Sequence, residues 1–154
     1  MTSTCEGSEI QKVSIRLAST RDAERISALC LQLGYPASQE EVEQRLHRVQ
    51  QEDEHAVYVA RTSGEYVVGW VHVLIYHLLE SPAEAEVGGL VVDENCRRWG
   101  AGRLLMGRAE EWAREKGCWA IHLRSNVIRK GAHAFYEALG YHNYKTQLAF
   151  RKVL

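Results

Sequence analysis

Apolar and polar residues follow two different periods along the chain, and these periods predict its helices and strands. Residues 13–17 alternate with the period of a half-buried strand. Two helices follow, and Ser38 with Glu41 forms a capping box that opens the second. Three β-rich segments, 56–60, 66–76 and 85–92, come next at short spacing, which predicts antiparallel neighbours.

The second half of the chain predicts a long helix over 101–116, a strand over 119–123, a short helix over 130–139 and a last strand over 144–153. The resulting order, β-α-α-β-β-β-α-β-α-β, predicts one α/β (α+β) domain over residues 11–154, with a mixed, mainly antiparallel sheet flanked by helices. The polar residues 1–10 predict a flexible N-terminal tail.

Composition narrows the classes of function. The 154 residues include 19 Lys and Arg against 20 Asp and Glu, a net charge of −1 that argues against a nucleic-acid partner. Because no apolar run approaches the roughly 20 residues of a membrane span, and the start does not resemble a secretory signal, we expect a cytoplasmic protein without a membrane partner.

The cysteines and histidines match no metal-ligand spacing, so we expect no metal. Cys96, beside two arginines, is expected to be a surface thiol.

Two adjacent glycines, Gly88 and Gly89, interrupt the strand predicted over 85–92. Glycines weaken a strand, and they commonly mark a β-bulge or the close approach of a ligand to the backbone. A tolerated weak point in the strand is the alternative interpretation.

The segment after this strand is basic, contains Gly100 and Gly102, and opens directly into the long helix. The first turn of a helix has unpaired N–H donors and the positive end of the helix dipole, and glycine lets a ligand come close. The pattern therefore predicts a site for a phosphate or pyrophosphate, with a plain turn as the alternative. It is not a P-loop, which would end in GK[ST], and position 105 is Leu where the dinucleotide fingerprint needs Gly.

Two motifs in this order resemble those of the GNAT N-acetyltransferase superfamily. Residues 97–102, RRWGAG, are similar to its acetyl-CoA loop [RQ]-x-x-G-x-[GA], and residues 134–141, AFYEALGY, are similar to its F-Y-E-x-L-G-[FY] signature. The resemblance covers the chain from about residue 12 to its C-terminus. It implies that acetyl-CoA is the cosubstrate and that it enters between splayed fourth and fifth strands.

The resemblance also implies which residues bind this cosubstrate. The backbone of residues 90–92 would pair with the pantetheine arm, and the N–H of Leu90 would polarise the thioester carbonyl. The N–H groups of residues 98–103 would hold the pyrophosphate. Asn126 would bond to the cofactor arm, or it is a turn residue. Arg129 stands where many members carry Asn, so that Asn contact is not expected. The implied set is Leu90, Val91, Val92, Arg97, Arg98, Trp99, Gly100, Ala101, Gly102, Arg103 and Asn126.

Two residues are candidates for proton transfer. An alkylamine with a pKa of about 10 is mostly protonated at neutral pH, so direct transfer to an amine needs a base. Glu86, in an apolar strand, resembles the catalytic Glu of the histone-acetyltransferase branch. The alternative is that Glu86 is a carboxylate at the sheet edge or facing a helix, without a catalytic role. His72, His77 and Glu84 are other candidates for the base. Tyr136 matches the family tyrosine near the sulfur, where it would give a proton to the CoA thiolate or only pack.

The resemblance therefore predicts an N-acetyltransferase that moves an acetyl group from acetyl-CoA directly to a primary amine of a small molecule. A protein or peptide N-acetyltransferase, a non-catalytic acetyl-CoA-binding module and a nucleotide-phosphate binder are the alternatives. Homodimers are frequent in the family, but the sequence indicates no interface. The acceptor is expected near Tyr35, Trp70, His72, Tyr76 and His77, of which Tyr35 and Trp70 could equally be packing residues.

Overall fold

The computed structural model describes residues 11–154, which divide into two compact units, one ending at Arg124 and the other covering Ser125–Leu154. The predicted tail, residues 1–10, lies outside the described residues. Of the helices in the described part of the chain, none combines the length and the apolarity needed to cross a bilayer.

The first unit is built on a five-stranded sheet whose strands lie side by side in chain order. Neighbours from β1 to β4 are antiparallel, and β5 is parallel to β4. The predicted mixed, mainly antiparallel sheet is therefore confirmed. The strands are β1 Val13–Leu17, β2 His55–Thr62, β3 Val67–Leu78, β4 Ser81–Val92 and β5 Ile121–Leu123.

Local signals in the sequence set the ends of the helices. Ser38 Oγ accepts a hydrogen bond from the Glu41 N–H at 3.1 Å, and Glu41 Oε2 accepts one from the Ser38 N–H at 2.8 Å, which confirms the predicted capping box. Gly34 and Gly117 end their helices in left-handed conformations, with φ of 92° and 78°. The helices are α1 Ala23–Leu33, α2 Gln39–Gln50, α3 Ala101–Glu115 and, in the second unit, α4 Lys130–Ala138.

The core of the first unit has two layers, one on each face of the sheet. Helices α1 and α2 cover one face, where Trp70 and Val91 are among the buried sheet residues. Helix α3 covers the opposite face, where the Arg108 guanidinium lies 4.7 Å from the centre of the Tyr58 ring. The α1–α2 layer is formed by Ala18, Ala23, Ile26, Leu29, Val42, Leu46, Val59, Val67, Trp70 and Val91.

Some of the predicted strand bounds are wrong. Strand β4 begins at Ser81 rather than at residue 85, with Pro82 near its start, a position that tolerates Pro. Strand β5 has only three residues. Residues 144–153, predicted as a last strand, form no strand, and the side chains of Leu148 and Phe150 are exposed. Alternation of apolar and polar residues marks a segment that can form a strand. It does not show whether another strand lies beside that segment to hydrogen-bond with it.

In the second unit, residues 125–154, helix α4 is the regular element. Its Phe135 and Tyr136 rings meet edge to face, with centroids 5.2 Å apart, and Tyr136 meets Tyr141 in the same way at 6.1 Å. Gly140, with φ of 92°, follows the helix and ends it. The unit is thus a short helix with an aromatic cluster on its C-terminal half.

Candidate active site

The loop between β4 and α3 has the backbone conformation of an anion site. After a 3₁₀ turn over Glu94–Cys96, Arg98 and Gly100 both adopt left-handed conformations, with φ of 73° and 78°. Because α3 starts at Ala101, the N–H groups of its first turn have no acceptor within the helix. Left-handed residues between ordinary ones also turn successive N–H groups toward one concavity. The loop can therefore bind a phosphate-sized anion.

The side chains of this loop differ in their exposure. Arg97, Arg98 and Arg103 are exposed, so they add positive charge that salt will screen, whereas Trp99 is half-buried. Cys96 is fully buried at the end of the 3₁₀ turn. The expectation of a surface thiol at Cys96 is therefore wrong, because the turn directs that side chain into the interior.

A buried carboxylate holds the point where β4 ends and the loop begins. Asp93 accepts hydrogen bonds from the Asn95 N–H at 3.0 Å and from Arg25 Nη2 at 2.9 Å. Gln32 of α1 accepts a bond from the Glu94 N–H at 3.0 Å. These contacts were not predicted from the sequence, where the only signal was an Asp placed directly after an apolar strand.

The charge of Asp93 is stabilised by these contacts. Burial alone would raise the pKa of its carboxyl, but the Asn95 N–H and the Arg25 guanidinium outweigh burial and hold the pKa below its ordinary value. Arg25 is itself held by the Val67 carbonyl, at 3.1 Å, and by the Tyr66 ring, whose centre lies 4.4 Å away. The start of the loop between β4 and α3 is thus anchored to α1 and β3.

Strand β4 extends well beyond its neighbour β5. The two strands pair only from Ala85–Ile121 to Val87–Leu123, whereas β4 continues to Val92. No strand among the described residues pairs with this side of residues 88–92. Peptide groups on that side are available to an extended ligand, which could add to the sheet as a strand does. The predicted parting of the fourth and fifth strands is confirmed.

A β-bulge lies where the two strands part. The register passes from His72 opposite Gly89 to Val73 opposite Val87, so Gly88 is an extra residue in β4. This confirms the bulge that the paired glycines suggested. An extra residue reverses the alternation of faces, so Glu86 points to the same side of the sheet as Gly89 rather than to the opposite side.

The glycine after the bulge lies under an aromatic ring. A Cβ at Gly89 would be 2.8 Å from the ring of Trp70, so the ring has its place only because this position has no side chain. Trp70 belongs to the α1–α2 core and is 8% exposed, and its indole N–H has no hydrogen-bond partner among residues 11–154. Trp70 is therefore a core residue. Tyr35, by contrast, is exposed after the end of α1.

Charged side chains of two neighbouring strands meet on the face that the bulge gives to Glu86. Glu86 Oε1 lies 3.1 Å from Arg124 Nε and 3.8 Å from His122 Nε2. His122 Nδ1 is 2.8 Å from Glu84 Oε2, although the two are not aligned as a hydrogen bond. The Tyr76 ring lies edge-on to His122, with centroids 5.4 Å apart. We call Tyr76, Glu84, Glu86, His122 and Arg124 the polar cluster.

The polar cluster is recessed at its centre, because Glu84, Glu86 and His122 are 20%, 14% and 13% exposed as side chains. Glu86 therefore lies among charged groups rather than in the apolar strand environment that we expected. His122 and Arg124 were missed, although they alternate with the apolar residues of β5, because their proximity to Glu86 depends on strand register. Among residues 11–154, no group of three or more His, Cys, Asp or Glu side chains is arranged to hold a metal ion.

Two histidines form a pair on the same face of the sheet. His55 Nδ1 lies 3.0 Å from His72 Nε2, and His55 Nε2 lies 3.2 Å from Glu52 Oε2. Burial, together with the neighbouring His55, lowers the pKa of His72 to about 4, so His72 is neutral at pH 7. His77, another candidate from the sequence, is exposed at the end of β3, and its Nε2 lies 2.9 Å from Glu54 Oε1.

Tyr136 and Asn126 belong to the second unit. Tyr136 is half-buried, and burial raises the pKa of its phenol despite the opposing charge of Arg129, so the phenol is protonated at neutral pH. Asn126 Oδ1 accepts a hydrogen bond from the Ile128 N–H at 3.1 Å. The side-chain oxygen of Asn126 thus serves the turn, as in the alternative interpretation of this residue.

Comparison with known proteins gives the family. Residues 21–141 match the family model described as Acetyltransferase (GNAT) family, so the chain belongs to that family and is an acyltransferase by class. A 50-residue stretch is 40% identical to "Uncharacterized N-acetyltransferase YhdJ" of Bacillus subtilis (strain 168). This stretch is 32% of the chain and spans about a third, 35%, of the length of that curated relative.

Solved structures agree with this family at the level of the fold. One is a transcriptional regulator from Bacillus halodurans C-125, with 24% identity, a TM-score of 0.81 and coverage of 92% of this chain and 100% of that one. Another is AAC(6')-Iy, an aminoglycoside N-acetyltransferase, in complex with the bisubstrate analogue CoA-S-monomethyl-acetylneamine. It has 18% identity, a TM-score of 0.81 and coverage of 93% and 99%. At these identities the likeness shows the fold alone.

Proposed function

We propose that this protein transfers the acetyl group of acetyl-CoA directly to a primary amine of a small molecule. The observation that carries the proposal is the continuity between the open edge of β4, residues 88–92, and the anion loop, residues 97–103. An extended arm can pair with the strand edge while its pyrophosphate reaches the first turn of α3. Acetyl-CoA would supply an activated acetyl thioester at this edge.

In this proposal the cofactor is held mainly by backbone groups. The N–H of Leu90 donates to the thioester carbonyl, a contact typically worth about 3–4 kcal/mol per donor. Asn126 assists through its side-chain amide, a role that rests on the family motif alone. The open strand edge and the unpaired first-turn N–H groups support the fit. The cofactor residues are Leu90, Val91, Val92, Arg97, Arg98, Trp99, Gly100, Ala101, Gly102, Arg103 and Asn126.

Two side chains move protons in this proposal. Glu86 takes one proton from the acceptor ammonium, directly or through a water, so that the nitrogen has a lone pair. Tyr136, whose raised pKa keeps it protonated, donates a proton to the departing sulfur, a role that again rests on the motif. The proton gained by Glu86 offsets the one lost by Tyr136. The second proton lost by the nitrogen is therefore the one released to water in each turnover.

The polar cluster supports an amine as the acceptor. Its carboxylates, Glu84 and Glu86, attract an ammonium group, and they are recessed, which favours a small amine over the side chain of a folded protein. The bisubstrate analogue bound by AAC(6')-Iy is an acetylated neamine, which is also a small amine.

The family match, residues 21–141, crosses the boundary between the two units, so we propose that residues 11–154 work as one N-acetyltransferase domain.

The test combines binding with turnover. Thermal unfolding is measured with acetyl-CoA, CoA, ATP and NAD at matched concentrations. A ligand at 100 times its Kd stabilises by about 2.7 kcal/mol, which raises the midpoint by roughly 5–11 °C for a chain of this size. Release of the CoA thiol is then followed with neamine, with a lysine-containing peptide and without any amine.

We expect acetyl-CoA and CoA to raise the midpoint, ATP and NAD to leave it unchanged, and neamine to accelerate thiol release. No shift with millimolar acetyl-CoA would overturn the cofactor assignment, and a shift with ATP or NAD alone would indicate a nucleotide-phosphate binder. A shift without release for any amine would indicate a binding module. Release with the peptide alone would indicate a peptide N-acetyltransferase.

A further inference from the structure

His72, His55 and Glu52 form a row of proton carriers that the roles given above leave unused. The distances along the row are 3.0 Å from His72 Nε2 to His55 Nδ1 and 3.2 Å from His55 Nε2 to Glu52 Oε2. The inner end is on the face that carries the polar cluster, because Leu74, two residues beyond His72 in β3, pairs with Glu86. The outer end, Glu52, has a side chain 54% exposed to solvent.

The outer part of the row opens to water. His55 and Glu52 both line a cavity of about 280 Å³ at the end of the sheet, together with Asp53 and Lys116. A cavity of this volume, with Glu52, Asp53 and Lys116 in its lining, is large enough for several waters. A proton that reaches Glu52 can therefore pass to solvent.

The donor and acceptor atoms of these side chains determine the direction in which a proton can move along the row. The Glu52 carboxylate can only accept, so its 3.2 Å contact with His55 Nε2, which is not aligned as a hydrogen bond, favours a proton on that nitrogen. In a neutral His55 ring, Nδ1 is then bare and accepts, so the proton between the rings belongs to His72 Nε2. His72, which is neutral at pH 7, is left with a bare Nδ1.

The bare nitrogen faces the β-bulge. A Cβ placed on Gly88 would lie 3.5 Å from His72 Nδ1, so the missing side chain leaves this nitrogen facing the bulge. The bulge is also where the open edge of β4 begins. A proton acceptor thus lies over the face of β4 at the bulge, where the opposite edge of the strand begins to be open to the acetyl donor of the proposed function.

We propose that His72 Nδ1 accepts the proton that the acceptor nitrogen releases to water in each turnover, and that His55 and Glu52 carry this proton out. The inference rests on the proposed function. The N–H bond of the acceptor breaks, its electron pair stays on nitrogen, and a bond forms to His72 Nδ1. His72 Nε2 then gives its proton to His55 Nδ1, His55 Nε2 gives its proton to Glu52, and Glu52 loses one to water. After the product leaves, water returns a proton through Glu52 to His55 Nε2, and His55 Nδ1 returns its proton to His72 Nε2. His72 Nδ1 then loses its proton to water in the emptied site, so both rings regain their starting tautomers and one proton has been released. His72 is a catalytic residue in this scheme, and His55 is a positioning residue.

The environment of His72 suits a relay rather than a store of charge. Burial and His55 lower the pKa of His72 to about 4, so the protonated ring is a strong enough acid to give its proton to His55. Several other titratable or charged groups belong to the elements around it, and they set the pH profile together with the pair. These groups are Glu52, Glu54 and His55 on the β2 side, Tyr76 and His77 on β3, Glu84 and Glu86 on β4, and His122 and Arg124 at β5.

The first experiment needs no substrate. In protein with ¹⁵N-labelled histidine, long-range ¹⁵N–¹H spectra identify which ring nitrogen of His72 carries the proton, with assignment from the spectrum of His72→Gln. We expect His72 and His55 to be protonated at Nε2 at pH 7, and His72 to stay neutral down to about pH 4. A His72 protonated at Nδ1, or one that titrates near pH 6.5, would overturn the proposal.

The second experiment measures turnover with neamine or the lysine-containing peptide, whichever releases CoA faster. We expect His72→Gln to lower kcat about 100-fold, with KM for the amine and the acetyl-CoA midpoint shift nearly unchanged. We expect His55→Ala to lower kcat about 10-fold and added imidazole to restore it, which a merely structural role would not allow. The matched control is His47→Gln, an exposed histidine on α2 that bonds to Gln51.

The failure of this proposal differs from the failure of the proposed function. If the wild-type protein releases no CoA with any amine, the proposed function fails and the relay falls with it. If the wild type is active while His72→Gln retains kcat within threefold, the proposed function stands and the relay is overturned. Loss of activity in His55→Ala that imidazole does not restore would overturn the outer half of the row.

Discussion

The two parts of the candidate site are built in different ways. The anion loop offers backbone N–H groups, and its shape depends on the left-handed residues Arg98 and Gly100 and on the Asp93 anchor. The polar cluster and the histidine pair depend on side chains that four strands bring to one face. A backbone site tolerates most side-chain changes that keep its conformation. A side-chain site changes its chemistry with a single substitution.

The two parts meet along β4, at the Gly88 bulge. After the bulge, β4 offers peptide groups at its open edge, and before the bulge it carries Glu84 and Glu86 on the face of the cluster. One strand thus serves both parts, and the difference between them suggests that binding of the cofactor and chemistry on the acceptor can be impaired separately. The predictions below test this separation, beginning with the largest expected effect.

Glu86→Gln should lower kcat about 100-fold and leave the acetyl-CoA midpoint shift unchanged, because the amide cannot accept the ammonium proton but the cofactor is held elsewhere. The measurement is CoA release as a function of amine concentration, with thermal unfolding in parallel. Glu111→Gln is the matched control, since this glutamate on α3 is exposed and pairs with Arg108. A parallel loss of acetyl-CoA binding in Glu86→Gln would show that the two parts are not separable.

Asp93→Asn should have the opposite effect, because it should weaken the binding of acetyl-CoA at the loop between β4 and α3. The change leaves Arg25, a half-buried cation, without its carboxylate, and we expect the free energy of unfolding to fall by about 2 kcal/mol at pH 7. Urea unfolding measures this loss, and the acetyl-CoA midpoint shift should shrink because the start of the loop is no longer anchored.

The pH dependence of this variant has a defined sign. The pKa of Asp93 is lowered in the folded protein, so its contribution is complete above its ordinary value of 3.8 and is lost as the pH falls through the lowered value. The difference in stability between wild type and Asp93→Asn should therefore narrow below about pH 4. A difference that is constant from pH 7 to pH 3 would contradict this account.

The smallest expected effect is at Gly100. Its φ of 78° is strained for a residue with a Cβ, although no atom of the described part of the chain, apart from its immediate neighbours, lies within 4 Å of where that Cβ would be. Gly100→Ala should cost about 1 kcal/mol of stability and weaken acetyl-CoA binding a few-fold, whereas Gly100→Asn should cost less because Asn tolerates this conformation. Equal losses in the two variants would mean that a clash with the cofactor, not backbone strain, causes the effect.

Local features of the fold could be predicted from the sequence. The capping box at Ser38 and Glu41, the helix stops at Gly34 and Gly117, and the loop opening into α3 involve residues only a few positions apart. The last strand could not be predicted reliably, because residues 144–153 have an alternating pattern but form no ladder. Helix ends are decided by neighbours in the chain, whereas strands are decided by partners elsewhere in it.

The sequence by itself determined the glycine-containing loop that opens into α3, the bulge signal at Gly88 and the family motifs. Each of these rests on residue types that change local backbone geometry, and this geometry depends on residues that are close together in the sequence. Only the tertiary structure decided which side of the sheet Glu86 faces, because one extra residue in β4 reverses the alternation. It also decided that His122 and Arg124 lie beside Glu86, and that His55 lies beside His72. These proximities depend on strand register, and register is set by how whole strands pair across the sheet.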